Sequence, residues 1–152
     1  MEEIKVAEKG SNPENIEQLT LLILGQMEAI GSKKDYYHVE RAVTNALRDS
    51  SNAVFFLYFK DGTPIAFAFG NVCAGLETGA DYLWLNELFV DKNFRKMNVA
   101  SEIIAFIENW SKERNIKYMA CITGSENVPA QKFYTKHGFE LSKTVWVDKL
   151  IE

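Results

Sequence analysis

The chain has little of what covalent, metal or nucleic-acid chemistry usually displays. Its 152 residues include two cysteines and two histidines. Cys73 and Cys121 stand in separate apolar stretches and form no CxxC pair, so they read as reduced thiols buried in strands and not as a disulfide framework or a zinc site. Neither GxxxxGK[ST] nor GxGxxG occurs, which sets aside the P-loop and the dinucleotide fingerprint. A formal net charge of -4, a pI near 5.3 and the lack of a basic stripe argue against a nucleic-acid partner. No apolar run approaches the ~18 residues of a membrane span, and Met1-Glu2-Glu3-Ile4-Lys5 has no signal-peptide character. The expectation is a cytoplasmic protein without a membrane partner.

What remains is the composition of an ordinary folded domain, 47% hydrophobic and 25% charged, in a chain near the usual size of one domain. No linker, repeat or composition shift suggests a second one, so residues 1–152 read as a single domain. Ile4 and Val6 alternate with charges as a first strand. Asn12 as cap, Pro13 at the first helical position and acidic Glu14 and Glu17 open a helix whose apolar face is Ile16, Leu19, Ile23, Met27 and Ile30. A second helix begins near Asp35, with Val39, Ala42, Val43, Ala46 and Leu47 facing inward. Residues 53–60 and 64–73 flank Asp61-Gly62 as a hairpin. Tyr82 to Val90 is a mostly apolar strand. Val99, Ile103, Phe106, Ile107 and Trp110 mark a long amphipathic helix that ends near Asn115. A strand over 118–123, a helix over 129–137 stopped by Gly138, and a final strand over 139–150 complete the order β-α-α-β-β-β-α-β-α-β. Helices covering a mixed sheet follow from that order.

The stretch Leu85-Asn86-Glu87-Leu88-Phe89-Val90-Asp91-Lys92-Asn93-Phe94-Arg95-Lys96-Met97-Asn98-Val99-Ala100 feeds a strand through a basic turn into a helix. The first helical turn offers amides without intrahelical partners, the helix dipole adds partial positive charge, and Arg95 and Lys96 add full charges. Such a turn suits a pyrophosphate. Downstream, Asn127-Val128-Pro129-Ala130-Gln131-Lys132-Phe133-Tyr134-Thr135-Lys136-His137-Gly138-Phe139 places an amide, a tyrosine and a Gly-Phe pair around one short helix.

These two blocks resemble the signatures of the GNAT acetyltransferase superfamily. The first is similar to (R/Q)-x-x-G-x-(G/A), with Arg95 and Ala100 in place and Asn98 where glycine is usual. Asparagine is the non-glycine residue that best tolerates the left-handed region. The second fills every main position of N-x-x-(A)-x-x-x-Y-x-x-x-G-F, and the likeness spans most of residues 50–147. The resemblance implies a single α/β (α+β) domain with a central mixed, mostly antiparallel sheet. It implies that acetyl-CoA is bound along Leu88, Phe89 and Val90, by Arg95, Lys96, Met97, Asn98, Val99 and Ala100, and by Asn127 and Lys132. It further implies a bulge that splays two central strands, with Tyr134 as the acid that returns a proton to the CoA thiolate.

The other substrate would be an amine, which must lose a proton before attacking. Glu87 is the candidate base, with Asn86 an alternative occupant of the cleft-facing position and Asp81, Glu77 and His38 as runners-up. The segments 31–38 and 74–81 are candidates for the acceptor site, with Tyr36, Tyr37 and Trp84 shaping it. Each of these residues also has a purely structural explanation: Asn127 as a helix cap, Tyr134 and the other aromatics as packing. The expected activity is direct transfer of acetyl to a primary amine, without a metal. Its rival is a non-catalytic acyl-CoA binding module. Dimers are common in the family, and Val145 and Val147 of the last strand are candidates for a homodimer contact.

Overall fold

A computed structural model describes residues 1–11 and 14–152, the side chains of 14 and 15 excepted. The expectations for Asn12, Pro13 and the Glu14 side chain fall outside the described residues. The chain divides into two compact units, Met1–Ile122 and Thr123–Glu152. The first holds β1 (Glu2–Glu8), α1 (Glu14–Ala29), α2 (Tyr36–Ala46), β2 (Ala53–Lys60), β3 (Thr63–Ala74), β4 (Asp81–Val90), a 3-10 turn (Lys92–Phe94), α3 (Val99–Glu113) and β5 (Tyr118–Cys121). The second holds α4 (Val128–Lys136).

The five strands lie in chain order in one sheet, antiparallel from β1 to β4, with β5 parallel to β4. Local chemistry accounts for the central hairpin. Asp61 and Gly62 both take positive φ, 48° and 79°, as a two-residue hairpin turn requires, and Lys60 faces Thr63 across it. β2 is buried along Ala53–Phe59 because both of its faces are covered. Phe55, Leu57 and Phe59 enter the cluster built with Leu19, Leu22 and Ile23 of α1 and Val39 and Val43 of α2. On the opposite face, Phe56 meets Phe106 and Trp110 of α3 edge-on at 6.1 and 5.1 Å. Each buried aromatic or aliphatic side chain contributes about 1.5–3 kcal/mol relative to exposure. A continuous apolar strand is therefore the natural centre of the two layers.

The helix faces differ in detail from the periodicity reading. In α1 the buried positions are Leu19, Thr20, Leu22, Ile23 and Gln26, whereas Ile30 lies past the helix end and is exposed. Ala42 of α2 is exposed, and Val39 and Val43 carry its contact. α3 agrees, with Val99, Ile103, Ile107 and Trp110 buried, and Asn115 follows it at φ 56°. Cys73 and Cys121 are outside any disulfide among the described residues, and both are half-buried where full burial was expected.

One element is corrected. Residues 139–150, expected as a last strand, have no helix or strand structure, and Val145 and Val147 are 87% and 84% exposed. Val, Trp and Thr prefer the extended state because they pack well on a neighbouring strand, and no ladder includes this segment.

β3 and β4 are in register from Ala66↔Val90 to Phe69↔Glu87, then resume at Gly70↔Leu85, which leaves Asn86 as an extra residue on β4. Gly70 permits this bulge. A Cβ there would lie 2.9 Å from both Leu83 Cδ1 and the Trp84 carbonyl oxygen. Gly70→Ala should therefore destabilise the fold by about 1–3 kcal/mol, read as a lowered urea midpoint.

Candidate active site

β5 pairs with β4 only from Tyr82↔Tyr118 to Leu85↔Cys121. The bulge at Asn86 follows directly, and a bulge bends its strand and increases the local twist. From Asn86 to Val90, β4 keeps β3 on one side and, among the described residues, pairs with no strand on the other. Its outward backbone groups thus lie outside any ladder among the described residues, the arrangement of the splay that the family resemblance implies. The bulge is locked by side chains. Trp84 Nε1 can only donate, so the amide oxygen of Asn86 turns to it at 3.1 Å, while the Asn86 nitrogen donates to the Trp84 carbonyl at 3.2 Å. The Asn71 amide lies 2.8 Å from that of Asn86.

The open stretch ends in the basic turn. Asp91 accepts from the Asn93 amide at 2.8 Å and starts the 3-10 turn. Arg95 folds back, its Nε donating to the Val90 carbonyl at 3.1 Å and its guanidinium 5.9 Å from the Phe89 ring centre. Lys96 and Asn98 both take left-handed backbone, at φ 62° and 65°. The sequence supported that conformation at Asn98, which stands where the family's glycine is usual; at Lys96 nothing local foretold it. Left-handed backbone costs an L residue of this kind about 1–2 kcal/mol, and such strain concentrates at ligand sites.

Asn98 is the N-cap of α3, but its side chain makes no capping bond. The first bond of the helix runs from the Glu102 amide to the Asn98 carbonyl at 3.1 Å. The amides of Val99 and Ala100 precede it and have no intrahelical partner. Lys96, Met97 and Asn98 are exposed, Val99 is buried and Ala100 is half-buried. Glu102 ties this helix start to the sheet, accepting from Tyr58 Oη at 2.6 Å. Burial first, and then that bond to Glu102, push the Tyr58 hydroxyl above the usual phenol range.

Leu88 and Val90 are half-buried neighbours of Ala68 and Ala66 on β3. Glu87 and Phe89 take the alternate face of β4, toward α1. There Gln26 Nε2 donates to Glu87 Oε2 at 2.7 Å. The remaining candidate bases lie elsewhere. Asp81 begins β4, Glu77 is exposed in the turn closed by Gly79 and Gly75, and His38 is exposed with its amide donated to the Asp35 cap at 2.7 Å. Gln26 was not singled out from the sequence. Its signal was a long polar side chain at the spacing of Leu19, Leu22 and Ile23 on a mostly apolar helix face.

In the second unit, the helix signature resolves into two caps. Asn127 Oδ1 accepts from the Ala130 amide at 3.2 Å at the start of α4, as its structural reading expects. Gln131 Nε2 holds the preceding loop through the carbonyls of Gly124 and Ser125, at 3.0 and 2.9 Å. At the other end Gly138 has φ 84°, its amide donates to the Thr135 carbonyl, and the Phe139 amide donates to the Tyr134 carbonyl, at 3.1 and 3.0 Å. This is a Schellman cap, completed by the Tyr134 and Phe139 rings 5.1 Å apart. Tyr, Gly and Phe at that spacing therefore fix the helix end and the tyrosine ring together. Lys132 is exposed on the same helix.

The donor set suits a phosphorylated thioester. Amides without intrahelical partners and two cations gather at the α3 start, and a strand edge outside the ladder leads away from it. Among the described residues, no group of three or more His, Cys, Asp or Glu side chains is arranged to hold a metal ion, and no helix is long and apolar enough to cross a membrane.

The model of the Acetyltransferase (GNAT) family matches residues 17–139. An aminoglycoside N(6')-acetyltransferase type 1 from Salmonella typhimurium (strain LT2) is 31% identical over 93 residues, covering 59% of this chain and 64% of that protein. Among solved structures, a probable acetyltransferase superposes with a TM-score of 0.86 at 19% identity, covering 99% of both chains. AAC(6')-Iy in complex with the bisubstrate analogue CoA-S-monomethyl-acetylneamine gives 0.77 at 21%, again covering 99% of both. At these identities the likeness to solved structures establishes the fold.

If Asn98 is kept for its tolerance of positive φ, Asn98→Val should lose about 1–2 kcal/mol and Asn98→Gly well under 1 kcal/mol, both measured by urea unfolding.

Proposed function

The chain belongs to the Acetyltransferase (GNAT) family, and on that premise we propose that it transfers the acetyl group of acetyl-CoA to a primary amine. The observation that carries this reading is the unpaired edge of β4 beyond Leu85, running into the left-handed turn at Lys96 and Asn98. Pyrophosphate oxygens would be held by the Val99 and Ala100 amides with Arg95 and Lys96. The open backbone at Leu88 and the Val90 amide would pair with the pantetheine arm and the thioester carbonyl, which the acetyl donor supplies when bound. Phe89, Met97, Asn127 and Lys132 complete the proposed CoA contacts.

Amines of the lysine type titrate near 10.4 and are mostly protonated at neutral pH, so the acceptor needs a base. Glu87 takes that role. Tyr134 supplies a proton to the departing thiolate. Because an ordinary thiol titrates near 8.5, the acid helps less than it would for an alkoxide. The names of the relatives make an aminoglycoside the first acceptor to try.

Purified protein given acetyl-CoA and neamine should release free CoA thiol, detected with a thiol reagent. Binding of acetyl-CoA without thiol release across neamine, other amines and peptides would instead identify a non-catalytic acyl-CoA module. Tyr134→Phe should lower kcat about 10- to 100-fold with the KM for acetyl-CoA unchanged, and Glu87→Gln should lower it about 100-fold or more. Full activity in both variants would reassign the acid and the base.

A further inference from the structure

The interior of α1 contains one side chain that packing does not explain. Gln26 is 6% exposed beside Leu19, Leu22 and Ile23; the other buried polar residue of α1, Thr20, satisfies its hydroxyl within the helix on the Ile16 carbonyl at 2.6 Å. Its Nε2 donates to Glu87 Oε2 at 2.7 Å, 61 residues along the chain. A carboxylate only accepts, so the amide must present its nitrogen to Glu87. That orientation leaves Gln26 Oε1 buried without a protein partner among the described residues. Burying an unpaired amide oxygen costs stability, and methionine would fill the same volume without that cost. Position 26 thus gives up stability to keep one hydrogen bond.

What the bond does follows from where Glu87 sits. It is the first residue after the bulge, and its partner across the ladder is Phe69, a ring with nothing to donate. Among the described residues Glu87 forms no ion pair. Its rotamer therefore depends on the donor from α1. We infer that Gln26 is a positioning residue for Glu87: it holds Oε2 and leaves Oε1 oriented to accept the proton of the incoming amine. A neutral amide suits the task, because a cation in its place would bind the carboxylate too firmly for ready protonation. This deepens the proposed function and rests on Glu87 being the base.

The test is a double-mutant cycle on the full chain, using Gln26→Met, Glu87→Gln and the pair, with acetyl-CoA and neamine as substrates and thiol release as readout. Gln26→Met alone should lower kcat about 10- to 100-fold with the KM for acetyl-CoA within about twofold of the wild type. In the Glu87→Gln background it should lower kcat no further, since there is no base left to orient. A merely structural role predicts undiminished kcat for Gln26→Met, or the same fold-loss with and without Glu87, and either result overturns the inference while leaving Glu87 as base. Undiminished kcat in Glu87→Gln, or no thiol release by the wild type with neamine, other amines or peptides, removes the underlying reading and the inference with it; an acceptor other than neamine simply replaces it in the cycle. Should Gln26→Met fail to unfold cooperatively in urea, Gln26→Glu replaces it in the cycle. That variant keeps the length and turns a carboxylate toward a carboxylate, so it should lose at least as much kcat, and unchanged kcat would again overturn the inference.

Discussion

Everything proposed for this molecule depends on one mismatch of length: β4 runs to Val90, but its parallel neighbour stops pairing at Leu85. A strand inside a sheet has its amides and carbonyls taken on both sides, and it cannot bind anything through its backbone. The bulge at Asn86 ends that state by turning β4 away where β5 stops. Gly70 makes the turn possible by letting backbone and the Leu83 side chain come closer than any Cβ would allow. Trp84 then holds the Asn86 amide in place, accepting through its carbonyl and donating through its indole. The open edge is therefore a built feature of the sheet, held from both strands.

The turn that follows shows the same exchange of local comfort for ligand geometry. Two non-glycine residues in left-handed backbone, separated by one residue, are costly, yet they bring the chain from the open edge into the start of α3. The cost is borne by a helix whose inner face is anchored by Val99, Ile103, Ile107 and Trp110 and whose first turn is tied to the sheet by Tyr58 and Glu102. Gln26 belongs to the same pattern. A polar group is kept inside α1 with its amide oxygen unpartnered among the described residues, where an apolar residue would serve stability better.

Legibility in the sequence tracked the range of the interaction. The Asp61-Gly62 hairpin, the helix start near Asp35, the αL position of Asn98, the Asn127 cap and the Gly138 stop each involve residues within about five positions of one another, and each appears where the residues indicated. The contact of Gln26 with Glu87 and the demand on Gly70 join residues far apart in the chain, and no local pattern encodes them. The expected final strand failed for a related reason. Val145, Trp146 and Val147 have the right local preference, but a strand also needs a neighbour to take its hydrogen bonds.

The amino-acid order alone determined the signature blocks, the helix starts and stops and the basic turn, because caps, turns and dipoles act over one or two helical turns. Only the tertiary structure decided that β4 loses its partner at Leu85, that Asn86 is the inserted residue and that a helix 61 residues upstream supplies the donor to Glu87. Those are matters of register and packing, and register is a property of two strands that neither strand's sequence contains by itself.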